Sequence, residues 1–245
     1  MKEREYIHRE DRAKKYDDLM SPLEFRVLSV VVEELIASRN NRSLKVVDLC
    51  CGTGLLAGML GGTPGISYTG VDMDARFLAA ARHRVRHRPG FTFVRADVMT
   101  YGSELSFDAA LMTFGFHHIE DTRKERFLKH VRGLLRDRGV FIVGDYVIPP
   151  YENEDEFGKA ATDFYARRVS YLGEHRLVSD RYINEIKKFC VSSAVHEEFK
   201  IDYRRTVDTF ERSGFEKLKE IKTWPDVDVY GHERVGDYVF VFRRK

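Results

Sequence analysis

Apolar and polar positions alternate with two different periods along this chain. From Ser21 the run Pro22-Leu23-Glu24-Phe25-Arg26-Val27-Leu28, continuing through Val31-Val32-Glu33-Glu34-Leu35-Ile36, repeats at helical spacing. Ser21 is placed as a cap and Pro22 at the first helical position, so the pattern predicts an amphipathic helix over about 22–38. Shorter apolar runs follow: Lys45-Val46-Val47-Asp48-Leu49, Tyr68-Thr69-Gly70-Val71, Phe91-Thr92-Phe93-Val94, Phe107 to Met112 and Val140 to Val143. Each is too short for a helix and suits a buried parallel strand. Helical patterns separate them, among them Ala75 to Arg86 and Arg123 to Leu135. Strand and helix alternating at this spacing imply right-handed crossovers and a sheet covered on both faces. The expected fold class is α/β.

The alternation breaks after Asp145. The stretch from about 149 to 199 is helical in pattern, including Phe157 to Tyr171 and Tyr182 to Phe189. Ordinary connections in such folds take roughly 2 to 6 residues, so this stretch reads as an insertion with helices of its own. Ile148-Pro149-Pro150-Tyr151 opens it, the prolines ending the preceding strand. A helix is then expected over 203–212, a stop at Gly214, a strand near 216–223 and a last strand from Tyr238 to Phe242. That final pair of strands has the pattern of an antiparallel hairpin on the sheet edge. The organisation expected is an N-terminal helical segment, 1–41, followed by one domain, 42–245, carrying a helical cap at about 149–199.

Composition narrows the classes without naming one. Among 245 residues, 41 Lys and Arg face 39 Asp and Glu, a formal charge of +2, so no global field draws the chain onto nucleic acid or a membrane. Hydrophobic residues at 43% and charged residues at 33% exclude disordered and fibrous classes. No run approaches the roughly 18 apolar residues of a membrane span. The opening MKEREYIHREDRAKKY has no apolar stretch, which makes the cytoplasm the default compartment. Three cysteines, with Cys50 and Cys51 adjacent, give neither a disulfide framework nor zinc-site spacing, and no metal is expected from them.

The candidate chemistry lies where the first strand ends. In open α/β sheets, ligands bind beyond the carboxyl ends of the strands, and here that loop reads Asp48-Leu49-Cys50-Cys51-Gly52-Thr53-Gly54 before a helix opens. Asp72, 20 residues after Gly52, ends the second strand and can accept hydrogen bonds from both hydroxyls of a ribose. Asp97, after the third strand, offers a carboxylate suited to an exocyclic amine. Asp48 would repel a phosphate, so a ligand with a positive end fits better.

These residues resemble the class I S-adenosylmethionine-dependent methyltransferase family, small-molecule type. That family has an acid before a glycine-rich turn, an acid ending the second strand, and Asp followed by an apolar residue after the third. The resemblance covers about 42–148 by motif and 200–245 by topology. It implies a Rossmann-like, seven-stranded, mostly parallel sheet with an antiparallel last strand, and S-adenosyl-L-methionine as cofactor. Carried over by position, Asp48 lies near the amino group of the methionine moiety, with Cys50, Gly52 and Gly54 as loop contacts. Asp72 faces the ribose, Met73 the adenine ring, and Asp97 with Val98 the adenine edge. Cys50 stands where the usual motif has its first glycine. Tyr16 and Thr113 are expected at the methionine end, and His117 of Phe116-His117-His118-Ile119 is the candidate base, His118 its competitor.

The resemblance implies methyl transfer to an O, N or C atom of a small acceptor, an aromatic or specialised metabolite, held under the helical cap. The cap contributes Phe164, Tyr165, Tyr171, His175, Tyr182, His196 and Glu198, an aromatic set that suits a planar acceptor if it lines a pocket and a core if it does not. The basic run Arg82 to Arg88 reads as the solvent face of its helix, which argues against nucleic acid. Alternatives left open are a tRNA or protein methyltransferase, an NAD-dependent oxidoreductase and a catalytically silent cofactor-binding protein. Monomer and homodimer are both compatible with the sequence.

Overall fold

A computed structural model describes residues 12–190 and 198–245. Its sheet has seven strands: β1 (Leu44–Leu49), β2 (Ile66–Asp72), β3 (Phe91–Arg95), β4 (Phe107–Thr113), β5 (Leu135–Val147), β6 (Phe215–Trp224) and β7 (Gly236–Arg244). The spatial order is β3-β2-β1-β4-β5-β7-β6. All neighbouring strands pair in parallel except β7, which is antiparallel to both β5 and β6. The order reverses between β1 and β4, and there the glycine-rich loop emerges. The expected antiparallel pair is present, but β7 threads between β5 and β6, so β6 holds the edge. That placement follows from burial: β7 reads Gly-Asp-Tyr-Val-Phe-Val-Phe and is buried over its first seven residues, whereas β6 alternates charged and apolar positions.

Helices α1 (Arg12–Leu19), α2 (Pro22–Ser38), α3 (Leu55–Leu60), α4 (Ala75–Arg84), α5 (Asp121–Leu134) and α8 (Tyr203–Arg212) surround the sheet. Between β5 and α8 lie α6 (Glu154–Glu174) and α7 (Asp180–Cys190). Alternate residues of one strand feed opposite layers. Val47 and Leu49 join the core under α5 and α8 with Phe127, Val131 and Phe210, while Val46 joins Val27, Val31 and Leu35 of α2 on the other face. Asp48 belongs to the α2 face too, beside Tyr68.

Helix α2 starts as its sequence dictates. The Leu23 N–H donates to the Ser21 hydroxyl, Glu24 accepts the Ser21 N–H at 2.9 Å, and Pro22 needs no donor. The insertion has its own core, in which Phe164, Tyr165, Leu172 and Tyr182 pack with Trp224 and Tyr230. Among the described residues no helix is long and apolar enough to cross a membrane.

Candidate active site

The loop after β1 is held open by left-handed backbone. Cys50 has φ +61°, Gly52 +53° and Gly54 +75°. Cys50 therefore occupies a conformation that costs a residue with a Cβ about 1 to 2 kcal/mol, which is the physical reason for glycine at this place. A Cβ at Gly52 would meet nothing within 4 Å, so the loop faces open space there. At Gly54 a Cβ would lie 2.8 Å from the Ala81 Cβ. Gly54 thus serves close packing of the loop on α4.

Asp72 fixes the loop. Its Oδ2 accepts the Gly52 N–H and its Oδ1 the Asp74 N–H, both at 2.9 Å. A carboxylate has about four lone-pair sites, so each oxygen keeps one for a ligand. Burial raises its pKa, and those two backbone donors partly offset the rise. Asp48 is more extreme. It is 1% exposed, its Oδ2 accepts the Tyr68 hydroxyl, and its Oδ1 has no partner. Burial, the largest cause, pushes its carboxyl up to about 7, against the Tyr68 hydrogen bond and with the help of nearby Asp72.

Tyr16, Met20, Asp48, Cys50, Gly52, Thr53, Thr113 and Phe114 line a cavity of about 30 Å³. Helix α1 closes it. Asp17 accepts the Thr53 hydroxyl and the Arg84 guanidinium, and the Tyr16 ring packs against Phe77 at 5.4 Å. Arg84 also donates to the Thr53 carbonyl at 3.1 Å, so at least this member of the basic run is a latch rather than a solvated charge. Further along the same sheet edge Met73 is 53% exposed, Asp97 accepts the Met99 N–H at 2.8 Å, and Val98 is buried in the core.

His117 stands apart from this cavity. It is buried on a 3-10 turn, Phe116–His118, and its Nδ1 lies 2.6 Å from Asp145 Oδ1. Asp145 Oδ2 also accepts the His117 backbone N–H at 3.1 Å. Burial lowers the His117 pKa although Asp145 pulls the other way, so the ring is neutral near pH 7. With Nδ1 donating to Asp145, Nε2 carries the lone pair. His117 lines a second small space with Asp145, Tyr146, Phe199 and Ile201. The ring contact of Phe114 with Tyr146, centroids 5.0 Å apart, stands between the two spaces.

Residues 46–139 match the methyltransferase domain family. An uncharacterized methyltransferase of Mycobacterium tuberculosis is 39% identical over 112 residues, 44% of this chain and 53% of the relative. The chain thus spans about half the length of the curated relatives it matches first. Magnesium protoporphyrin IX methyltransferase of Synechocystis, with S-adenosylhomocysteine bound, superposes at TM-score 0.60 and 15% identity, over 91% of this chain and 84% of that one. N-methyltransferase NodS of Bradyrhizobium japonicum gives TM-score 0.60 at 12% identity, over 96% and 93%. These two likenesses establish the fold.

Residues 46–139 carry a methyltransferase domain, and the chain has the class I methyltransferase fold.

Class I methyltransferases use S-adenosylmethionine, and the loop seen here fits it. Asp48, one of the residues lining the cavity, has a buried carboxylate oxygen without a partner, Oδ1, which an ammonium would complete. Asp72 keeps acceptor capacity at the end of β2. The structure brings Tyr16, Asp48, Cys50, Gly52 and Thr113 around one cavity, joins Asp72 to it through Gly52, and strings Met73, Asp97 and Val98 along the edge. Gly54 serves packing, and His117 lies behind the aromatic pair.

Several members of the site escape sequence reasoning. Asp145, Tyr68, Asp17 and Arg84 meet their partners across separations of 20 to 67 residues, and nothing local marks them. In the cap, Phe164, Tyr165 and Tyr182 are buried in the insertion's own core, so for them packing prevails over a pocket role. Tyr171 is half-buried and His175 exposed, their rings stacked 4.0 Å apart. Glu198 binds Tyr165 and Lys200. His196 lies outside the described residues.

Proposed function

We propose that this chain transfers the methyl group of S-adenosylmethionine to a nucleophilic oxygen, nitrogen or carbon of a small-molecule acceptor. The observation that carries the cofactor reading is the orphaned Asp48 Oδ1. A buried anion with an unused lone pair beside a glycine loop calls for a cation, and a phosphate-bearing dinucleotide supplies the opposite charge there. In this reading Asp48 faces the amino group, with Tyr16 and Thr113 at the methionine end. Cys50, Gly52 and Gly54 shape the loop, Asp72 holds the ribose hydroxyls, and Met73, Asp97 and Val98 bound the adenine.

The cofactor supplies an electrophilic methyl on a cationic sulfur. The protein's share is to hold the nucleophile in line and keep water out, for which proximity offers roughly 7 to 11 kcal/mol. Where the acceptor carries a proton, the His117 imidazole is the base proposed, Asp145 fixing its tautomer as an orienting carboxylate does elsewhere. A small acceptor is favoured by the near-balanced charge and by the helical insertion beside the strand ends, and one structural neighbour is named for a small acceptor, magnesium protoporphyrin IX.

The test is product formation. Incubation with S-adenosylmethionine and the small-molecule fraction of a cell extract should yield S-adenosylhomocysteine. Product formed only with the tRNA or protein fraction would replace the acceptor class, and none with any fraction would favour a silent binding protein. Asp72→Asn should abolish cofactor binding by calorimetry with the circular dichroism spectrum intact; unchanged affinity would sink the ribose assignment.

A further inference from the structure

Two imidazoles and a carboxylate converge where the 3-10 turn meets the end of the insertion. One ligand-type atom each from His117, His118 and Glu198 lies within 4.8 Å of the others. We propose that these three side chains bind a divalent first-row transition ion. Two histidines with one carboxylate suit zinc, iron or manganese, borderline ions that accept nitrogen and oxygen together.

The hydrogen bonds of His117 and Glu198 leave one atom of each turned toward the other. His117 gives its Nδ1–H to Asp145, so Nε2 presents its lone pair on the opposite side. That Nε2 is 4.0 Å from Glu198 Oε1. The separation is too long for a hydrogen bond, and close to the roughly 3.4 Å expected between two ligands held tetrahedrally at about 2.1 Å from one ion. The other carboxylate oxygen, Glu198 Oε2, already accepts the Tyr165 hydroxyl at 3.1 Å and the Lys200 ammonium. Both the imidazole and the carboxylate are therefore oriented from behind by partners on their far atoms. Metal ligands are held in this way: the histidine donates its second nitrogen to a carboxylate, and the ligating carboxylate is itself hydrogen-bonded.

The backbone supports the same geometry. The Phe199 N–H donates to the His117 carbonyl at 2.7 Å, which brings Glu198 against the turn although 80 positions separate them in sequence. The rings of His117 and His118 lie 4.2 Å apart. Charge is compatible with a cation. Lys200 is paired with Glu198, and Lys124 is paired with Asp121 and with the carbonyls of Ile119 and Phe199. The Asp145 carboxylate remains as a further negative charge behind His117.

Three protein ligands leave at least one coordination position open. Phe199, next in chain to Glu198, lines both the space at His117 and a groove of about 1280 Å³ bounded by Asp121, Tyr151 and Phe157. The ion site stands without the methyl-transfer reading, but its use in catalysis rests on it. An acceptor hydroxyl bound to the ion would lose its proton to water, and the resulting oxygen anion would take the methyl as the sulfur–carbon bond breaks. His117 would then act as a ligand in place of a base.

The full chain, stripped with chelator, should take up one Zn²⁺ per molecule by calorimetry and one Co²⁺ by visible absorption. His118→Ala and Glu198→Gln should each weaken binding at least about ten-fold, and Asp145→Asn about 10- to 100-fold. His87→Ala, in the exposed segment after α4, should leave it unchanged. No stoichiometric uptake, or equal uptake in wild type, His118→Ala and Glu198→Gln, overturns the site. S-adenosylmethionine affinity measured on the same samples reports the cofactor reading separately, because His118 and Glu198 take no part in it.

Discussion

Asp48 shows how one side chain can be read twice. In sequence it is an acid before a glycine turn; in the structure it is a carboxyl sealed from water with one oxygen unpaired. Its folded pKa, about 7, lies above the ordinary value, so between pH 4 and 7 the folded chain binds a proton that the unfolded chain has released. Stability from this group is therefore full below the unfolded pKa and declines as pH rises toward 7. Asp48→Asn should stabilise the cofactor-free protein at pH 8 relative to wild type and show little difference at pH 4, as denaturant titrations at the two pH values would reveal. An ammonium bound beside Asp48 favours the ionised form. Cofactor binding at pH 6.5 should thus release protons, detectable by calorimetry in buffers of different ionisation enthalpy, and Asp48→Asn should release none. The motif position of Asp48 was legible in sequence because it lies in a short loop. Its hydrogen bond to Tyr68 was not, because strand register across β1 and β2 decides which side chain on the next strand can reach it.

Among the elements, α1 and α2 do different work. Helix α1 sits over a cavity of about 30 Å³, room for an ammonium group. Its hold is polar and partly exposed: Asp17 to Thr53 of the loop and Arg84 of α4, and Lys15 to Glu185 of α7, 3.5 Å apart. Such contacts are worth about 1 kcal/mol here. Asp17→Ala should therefore speed cofactor release about five-fold in stopped-flow measurements while leaving the melting temperature within a few degrees. Helix α2, by contrast, is fastened by close contact. A Cβ at Gly144 would lie 2.5 Å from Val27 Cγ1, so the strand–helix distance depends on a missing side chain. Gly144→Ala should destabilise by about 1 to 3 kcal/mol in urea titrations, and Val27→Ala in that background should recover part of the loss. The helix from 22 to 38 was legible from its cap, proline and apolar spacing. The need for glycine at 144 was not, since the helix that touches it lies more than a hundred residues earlier.

At the scale of the whole molecule, one buried network joins the N-terminal helix, the insertion and the sheet. Arg168 of α6, 1% exposed, donates to both oxygens of Asp237 on β7 at 2.8 and 3.0 Å and to Glu24 of α2 at 3.3 Å. Tyr182 and Tyr146 also donate to Glu24, at 2.9 and 3.1 Å. Burial raises the Asp237 pKa to about 6 despite Arg168, whereas for Glu24 the guanidinium and hydroxyl donors outweigh burial and lower it. Removing Arg168 strands two carboxylates in a dry interior, so Arg168→Met should cost about 3 to 5 kcal/mol in equilibrium unfolding. Arg168→Met combined with Asp237→Leu should recover part of that, since one of the two stranded charges is removed along with its partner. What the sequence by itself determined is local: the succession of strands and helices, the helix caps, the glycine turn and the acids at strand ends, because periodicity and backbone preference act over a few residues. The tertiary structure alone decided that β7 lies inside β6, that Asp145 stands behind His117, that Arg168 meets Glu24 and Asp237, and that His118 faces Glu198. These are meetings between distant segments, and they depend on sheet order and packing distance, which no short stretch of chain encodes.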